Sequence, residues 1–173
     1  MQTDEQLARQ LQRGDTQALA QLVERHHSPL LGFLYRLTGG DRALAEDLVQ
    51  DTLLRVLRTS QQYHAARPFK PWLYAIALNV ARDHFKRADT RYTDSATDDG
   101  LDTLAAPDAD LDFEAQQVAA AITALPEHQR VAILLRYYQD LSLAEIAQTL
   151  NIPIGTVKSR LSLGLQRLRT WLE

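Results

Sequence analysis

Apolar residues recur at three- and four-residue spacing along almost all of this chain, and no stretch alternates with the period of two that a half-buried strand needs. The pattern predicts an all-α protein. A short amphipathic helix runs from Thr3 to Arg13 and ends at Gly14. Asp15 caps a long second helix that turns Ala18, Leu19, Leu22, Val23, Leu30, Leu31, Leu34 and Leu37 inward. Pro29 inside it predicts a kink or a break into two pieces. Gly39-Gly40 ends that helix, and Asp41 starts DRALAEDLVQDTLLRVLRT. There Leu44, Leu48, Val49, Thr52, Leu53 and Val56 face inward, while Glu46, Asp47, Gln50, Asp51 and Arg55 form a polar face. A connector with Tyr63 and Pro68 leads to FKPWLYAIALNVARDHFKR, aromatic at its start and basic at its end. Trp72 reads as core and Phe69, just ahead of Pro71, as exposed; Tyr74 is open between the two.

Helical periodicity then stops. Residues 89–112 are rich in Asp, Thr and Ala, with Leu101, Leu104 and Leu111 as the only anchors, a composition that cannot bury a core and reads as a flexible acidic linker. Periodicity returns from Phe113 to Ala124, breaks at Pro126, and resumes in EHQRVAILLRYYQD. The last stretch, LSLAEIAQTLNIPIGTVKSRLSLGLQRLR, has the punctuation of a helix-turn-helix. Ser142 with Glu145 is a capping box, Asn151 suits a left-handed turn, and Pro153 suits a first helical position. Val157, Leu161, Leu165, Leu168 and Leu172 give the final helix one inward face, which leaves Ser159, Ser162, Leu163 and Gln166 opposite, flanked by Lys158 and Arg167. Such a helix enters the DNA major groove, where Ser and Gln meet base edges and cations meet phosphate.

The formal charge of −3 runs against DNA binding until it is divided along the chain. Residues 1–88 carry +3 and residues 115–173 carry +2, while residues 89–114 carry −8. The acidity is confined to the linker and masks two mildly basic helical units. The chain has no cysteine, which excludes disulfides, thiolate metal sites and a cysteine nucleophile. No apolar run approaches the 18 or so residues of a membrane span, and the polar N-terminus is unlike a secretory signal. Together these favour a cytoplasmic protein. The five histidines are scattered or adjacent, not spaced as metal ligands, and no nucleophile–base grouping can be assembled. No catalytic residue, metal or cofactor is expected.

Three ordered stretches carry a family resemblance. EDLVQDTLLRV is similar to region 2.2 of the extracytoplasmic function (ECF) group of bacterial sigma-70 factors, FKPWLYAIALNVARDHFKR to regions 2.3 and 2.4, and LPEHQRVAILLRYYQDLSLAEIAQTLNIPIGTVKSRL to region 4. The resemblance implies a region 2-like domain over residues 1–88, the linker over 89–112 and a region 4-like domain over 113–173. It implies a promoter-directing initiation factor whose partners are core RNA polymerase (the β′ clamp helices and the β subunit), promoter DNA and an anti-sigma factor, with no membrane insertion and no small-molecule substrate. It assigns Asp47, Gln50 and Asp51 to polymerase docking. Asn79, Val80, Arg82, Lys86 and Arg87 fall to the −10 element, and Lys158, Ser159, Arg160 and Ser162 to the −35 element. The family usually has arginine where this chain has Leu163, which implies weaker, less salt-sensitive −35 binding. It also threads the linker through the polymerase toward the RNA exit path, where a −8 segment fits a basic channel. The rival reading is a helix-turn-helix regulator whose first 88 residues sense a ligand or dimerise.

Overall fold

The computed structural model describes residues 1–92 and 112–173. They form eight α-helices: α1 (Asp4–Gln12), α2 (Thr16–Leu37), α3 (Arg42–Thr59), α4 (Phe69–Tyr92), α5 (Phe113–Ala124), α6 (Glu127–Ile133), α7 (Leu143–Leu150) and α8 (Ile154–Leu172). Short side chains set their starts. Thr3 and Gln6 form a reciprocal capping box on α1, Asp15 accepts from the Gln17 N–H, and Asp41 from the Leu44 N–H at 3.0 Å. Between α2 and α3, Gly39 and Gly40 adopt φ of 71° and 93°, which lets the Gly40 N–H reach back to the Tyr35 carbonyl at 2.8 Å.

Pro29 does not break α2. The helix runs unbroken through it, because Leu22, His26, Leu30, Phe33, Leu34 and Leu37 bury one continuous face on both sides of the proline. Burial worth roughly 1.5–3 kcal/mol per large apolar side chain outweighs the ~3 kcal/mol cost of an interior proline. In the first four helices this face meets Leu48 and Val56 of α3 and Leu73, Tyr74 and Leu78 of α4, with the Phe33 and Tyr74 rings edge-on at 5.0 Å. Helix α1 closes the group. Its Asp4 joins Arg25 at 3.0 Å and His26 at 2.8 Å, and Gln12 donates to the carbonyls of Ser60 and Tyr63.

Phe69 corrects the sequence reading. It is 1% exposed, its ring set against Tyr63, Trp72 and His26 at 5.4–5.7 Å, and its N–H is accepted by Glu5 Oε1. The pattern ahead of Pro71 looked like an exposed helix start because the partners come from distant segments. Trp72 is half-buried against the same rings, and Tyr74 is core. Helix α4 also runs on through Tyr92, four residues into the stretch read as linker, with Thr90 bonded back to the Lys86 carbonyl. The remainder of that linker, residues 93–111, lies outside the described residues.

In the second half Asp112 caps α5 by accepting from the Ala115 N–H at 2.8 Å. Arg130 of α6 is 1% exposed and donates to the carbonyls of Leu125 (2.7 Å) and Thr123 (3.1 Å), pinning the end of α5. A π-type turn, Leu134–Tyr138, follows α6. The Ser142/Glu145 box starts α7, and Asn151 takes the left-handed conformation (φ 54°, ψ 49°) between α7 and α8, as expected. Pro153 is the residue before α8 and not its first member. Gly164 lets α6 and α8 approach closely: a Cβ there would meet Ile133 Cγ1 at 3.1 Å. Val157 and Leu161 are core and Leu165 and Leu168 half-buried, but Leu172 is exposed. The inward stripe runs out before the helix does.

Candidate nucleic-acid interface

Three polar surfaces stand out. On α3, Asp47, Gln50 and Asp51 are all exposed, as the polar-face reading required. Two leucines that the sequence reading passed over share their strip: Leu54 (48% exposed) and Leu57 (43%). The signal was available, since residues 47, 50, 54 and 57 follow the helical repeat. Exposed leucines beside carboxylates have the make-up of a docking face, an apolar centre with a charged edge.

On α4, Asn79, Lys86 and Arg87 are exposed, and the Asp83 carboxylate is tied to Arg55 of α3 at 3.2 Å. Val80 departs from its assignment. It is 4% exposed and packed in the core, behind the exposed Asn79. Arg82 is half-buried, and its Nε and Nη2 both donate to Glu127 Oε1, at 2.9 and 2.7 Å. Tyr74, on the buried side of α4, donates to Gln139 Oε1 at 2.6 Å, and burial pushes its phenol pKa well above the usual range. Tyr63, near the start of α4, is pushed up to about 12, first by burial and then by Glu5. Both phenols are therefore neutral hydrogen-bond donors at any physiological pH.

On α8, Lys158, Ser159 and Ser162 are exposed and Arg160 is half-buried at their flank. Leu163 is 50% exposed on the same side. The cations and amides of α4 and α8 can donate to phosphates or base edges, and the carboxylates of α3 can pair with cations. Among the described residues there is no group of metal-ligating side chains, and no helix is long and apolar enough to cross a membrane.

Residues 22–91 match the family described as Sigma-70 region 2, and residues 115–168 match Sigma-70, region 4. The ECF RNA polymerase sigma factor SigW of Bacillus subtilis is 32% identical, over 95% of this chain and 94% of its own length. The chain is an ECF sigma factor of the sigma-70 family. SigL of Mycobacterium tuberculosis is 36% identical over 88% of this chain and 87% of its own. Among solved structures, CnrH in complex with the cytosolic domain of CnrY superposes with a TM-score of 0.76 at 27% identity, covering 98% of this chain and 96% of that one. The sigma factor RpoE in complex with the anti-sigma factor NepR from Bartonella quintana gives 0.77 at 27%, covering 88% and 95%. This sigma factor directs promoter recognition and is not an enzyme. The rival regulator is not favoured, because its supposed sensing domain is region 2 itself.

Proposed function

We propose that the sigma factor reads a bipartite promoter with two separate faces while a third holds it to polymerase. Asp47, Gln50 and Asp51 dock on the β′ clamp helices, with Leu54 as the apolar centre of the contact. Asn79, Arg82, Lys86 and Arg87 engage the −10 element, where Asn79 offers both a donor and an acceptor to an unstacked base and the cations track phosphate. Lys158, Ser159, Arg160 and Ser162 engage the −35 element. The observation that supports this most is exposure: most of these side chains lie at the surface of helices whose opposite faces are core. An anti-sigma factor is the regulator, as the complexes of the two structural relatives suggest, and the site of action is the cytoplasm. We assign residues 1–88 to polymerase docking and the −10 element, 89–112 to the acidic linker and 113–173 to the −35 element, with α4 overrunning the first boundary.

Run-off transcription with purified core polymerase on genomic fragments tests this reading. Specific start sites with a shared upstream pair of elements are expected, and core plus sigma giving only the background of core alone would refute it. Leu163→Arg supplies a cation on the DNA side of α8. Tighter −35 binding is expected, with the slope of log K against log salt steeper by about 0.9. An unchanged slope and affinity would remove Leu163 from the DNA face.

A further inference from the structure

A carboxylate stands in the middle of the cationic strip of α4. At about 100° per residue and with Asn79 at zero, Lys86 lies about 20° to one side. Asp83 lies about 40° to the other side and Arg87 about 80°. Asp83 therefore falls inside the arc of these three exposed side chains, one turn after Asn79 and one turn before Arg87. On a surface that tracks phosphates, a fixed negative charge weakens binding to DNA of every sequence. The setting of this acid is specific. Its side chain is 47% exposed, and its Oδ2 accepts from Arg55 Nη1 of α3 at 3.2 Å. Among the described residues its other oxygen, Oδ1, has no hydrogen-bond partner. The result is a carboxylate fixed by one oxygen and open at the other, in the centre of a face otherwise made of donors.

We propose that Asp83 is a specificity-determining residue of this face: its open Oδ1 accepts a hydrogen bond from the exocyclic amine of a cytosine in the −10 element. The inference rests on the −10 assignment of α4 made above and adds a base to it. A carboxylate only accepts, so a base edge satisfies it only with a donor. In the major groove guanine shows two acceptors, and thymine an acceptor beside a methyl group, which leaves the amines of adenine and cytosine. Adenine carries its N7 acceptor next to the amine, and a carboxylate is repelled there. Cytosine has no acceptor beside its amine. Arg55 is the positioning residue. Its grip on Oδ2 restricts the rotation of the carboxylate, and its charge offsets the repulsion from nearby phosphates. Asn79, Lys86 and Arg87 then hold DNA to the helix while Asp83 tells one base from the others. A sequence without the amine leaves the carboxylate desolvated against an acceptor or a methyl group, so selection comes from rejecting wrong bases as much as from binding the right one.

The test uses holoenzyme made with the full chain, on a promoter mapped by run-off transcription. Each base pair of its −10 element is replaced in turn by the other three. Wild type is expected to prefer cytosine over thymine about tenfold at one position, the size of one base contact. Asp83→Asn keeps the shape of the side chain but adds a donor for the thymine O4. The preference at that position should fall to about twofold, with the other positions unchanged. Asp83→Ala should lose the same preference and bind fragments of unrelated sequence a few-fold more tightly, since a charge that repelled phosphate is gone. Arg55→Met leaves that charge unbalanced and should weaken binding to all DNA at saturating core polymerase. Arg55→Met/Asp83→Ala should restore binding to the level of Asp83→Ala. A merely structural ion pair gives a different result, in which every variant loses transcription on all templates in proportion and melts earlier. That result overturns the proposal. So does a wild-type enzyme with no cytosine-dependent position, or a cytosine preference that survives in Asp83→Ala. Failure of the −10 assignment itself is distinct, because Asn79→Ala and Lys86→Ala/Arg87→Ala would then leave transcription unchanged as well.

Discussion

Asp47→Lys with Asp51→Lys is expected to weaken binding to core polymerase about 100-fold while leaving helicity and melting unchanged. Both carboxylates are exposed on α3, facing away from the core, so their reversal has little to disturb inside the fold. At a docking face built for a basic partner, reversal replaces attraction by like-charge contact, which costs several kcal/mol where mere loss of attraction costs far less. About 3 kcal/mol corresponds to a factor near 100. The Asp→Asn pair separates the two contributions. It should slow association a few-fold, mostly at low salt, and leave dissociation nearly untouched, because rim charges act on steering. Competition for a limiting amount of core polymerase against a reference sigma factor reads both. If the Lys variant competes as well as wild type, the docking face lies elsewhere on region 2.

The largest effect on stability is expected at Arg130. Arg130→Met should lower the stability of region 4 by about 3 kcal/mol, read as a fall in its thermal midpoint. Replacing a buried charge by an apolar residue of similar volume is often neutral, so the sign needs an argument. Here two of the groups that Arg130 serves are the carbonyls of Thr123 and Leu125 at the end of α5. They stay where they are when the guanidinium goes, and a methionine offers them no donor. The cost is that of orphaned buried acceptors, plus the loss of a cation from a helix C-terminus. Both carbonyls belong to region 4, so the melting of region 2 should move less. A change under about 0.5 kcal/mol in Arg130→Met would show that water reaches these carbonyls.

What could be read without coordinates was local. The caps at Asp15, Asp41 and Ser142, the glycine pair 39–40 and the left-handed Asn151 all depend on neighbours within a turn, and each stands where the pattern put it. What could not be read depends on partners far along the chain. Phe69, Tyr74 and Val80 sit on a helix contacted by α1, α2, α3 and α7, so apolar side chains occur around much of its circumference and periodicity cannot say which are buried. Leu172 fails for the opposite reason, since its stripe is regular but among the described residues it stays exposed. The site residues divide in the same way. Exposed polar groups on single-faced helices, such as Asp47 and Ser162, were legible, whereas the engagement of Arg82 by Glu127 joins residues 45 positions apart and leaves no trace in either segment.

Helix α1 leaves the ribosome ahead of helices α2–α8, and part of its packing must wait for them. It meets Arg25 and His26 of the next helix early, but its contacts with Ser60, Tyr63 and Phe69 come later, and the bond from the Phe69 N–H to Glu5 joins residues 64 positions apart. At about 5–20 residues per second, the apolar face of Leu7, Ala8 and Leu11 waits several seconds during synthesis for those segments to emerge. The capping box of Thr3 and Gln6, which needs nothing beyond its own first turn, can form during that wait. The nascent chain thus carries a capped helix start that region 2 completes once Phe69 appears.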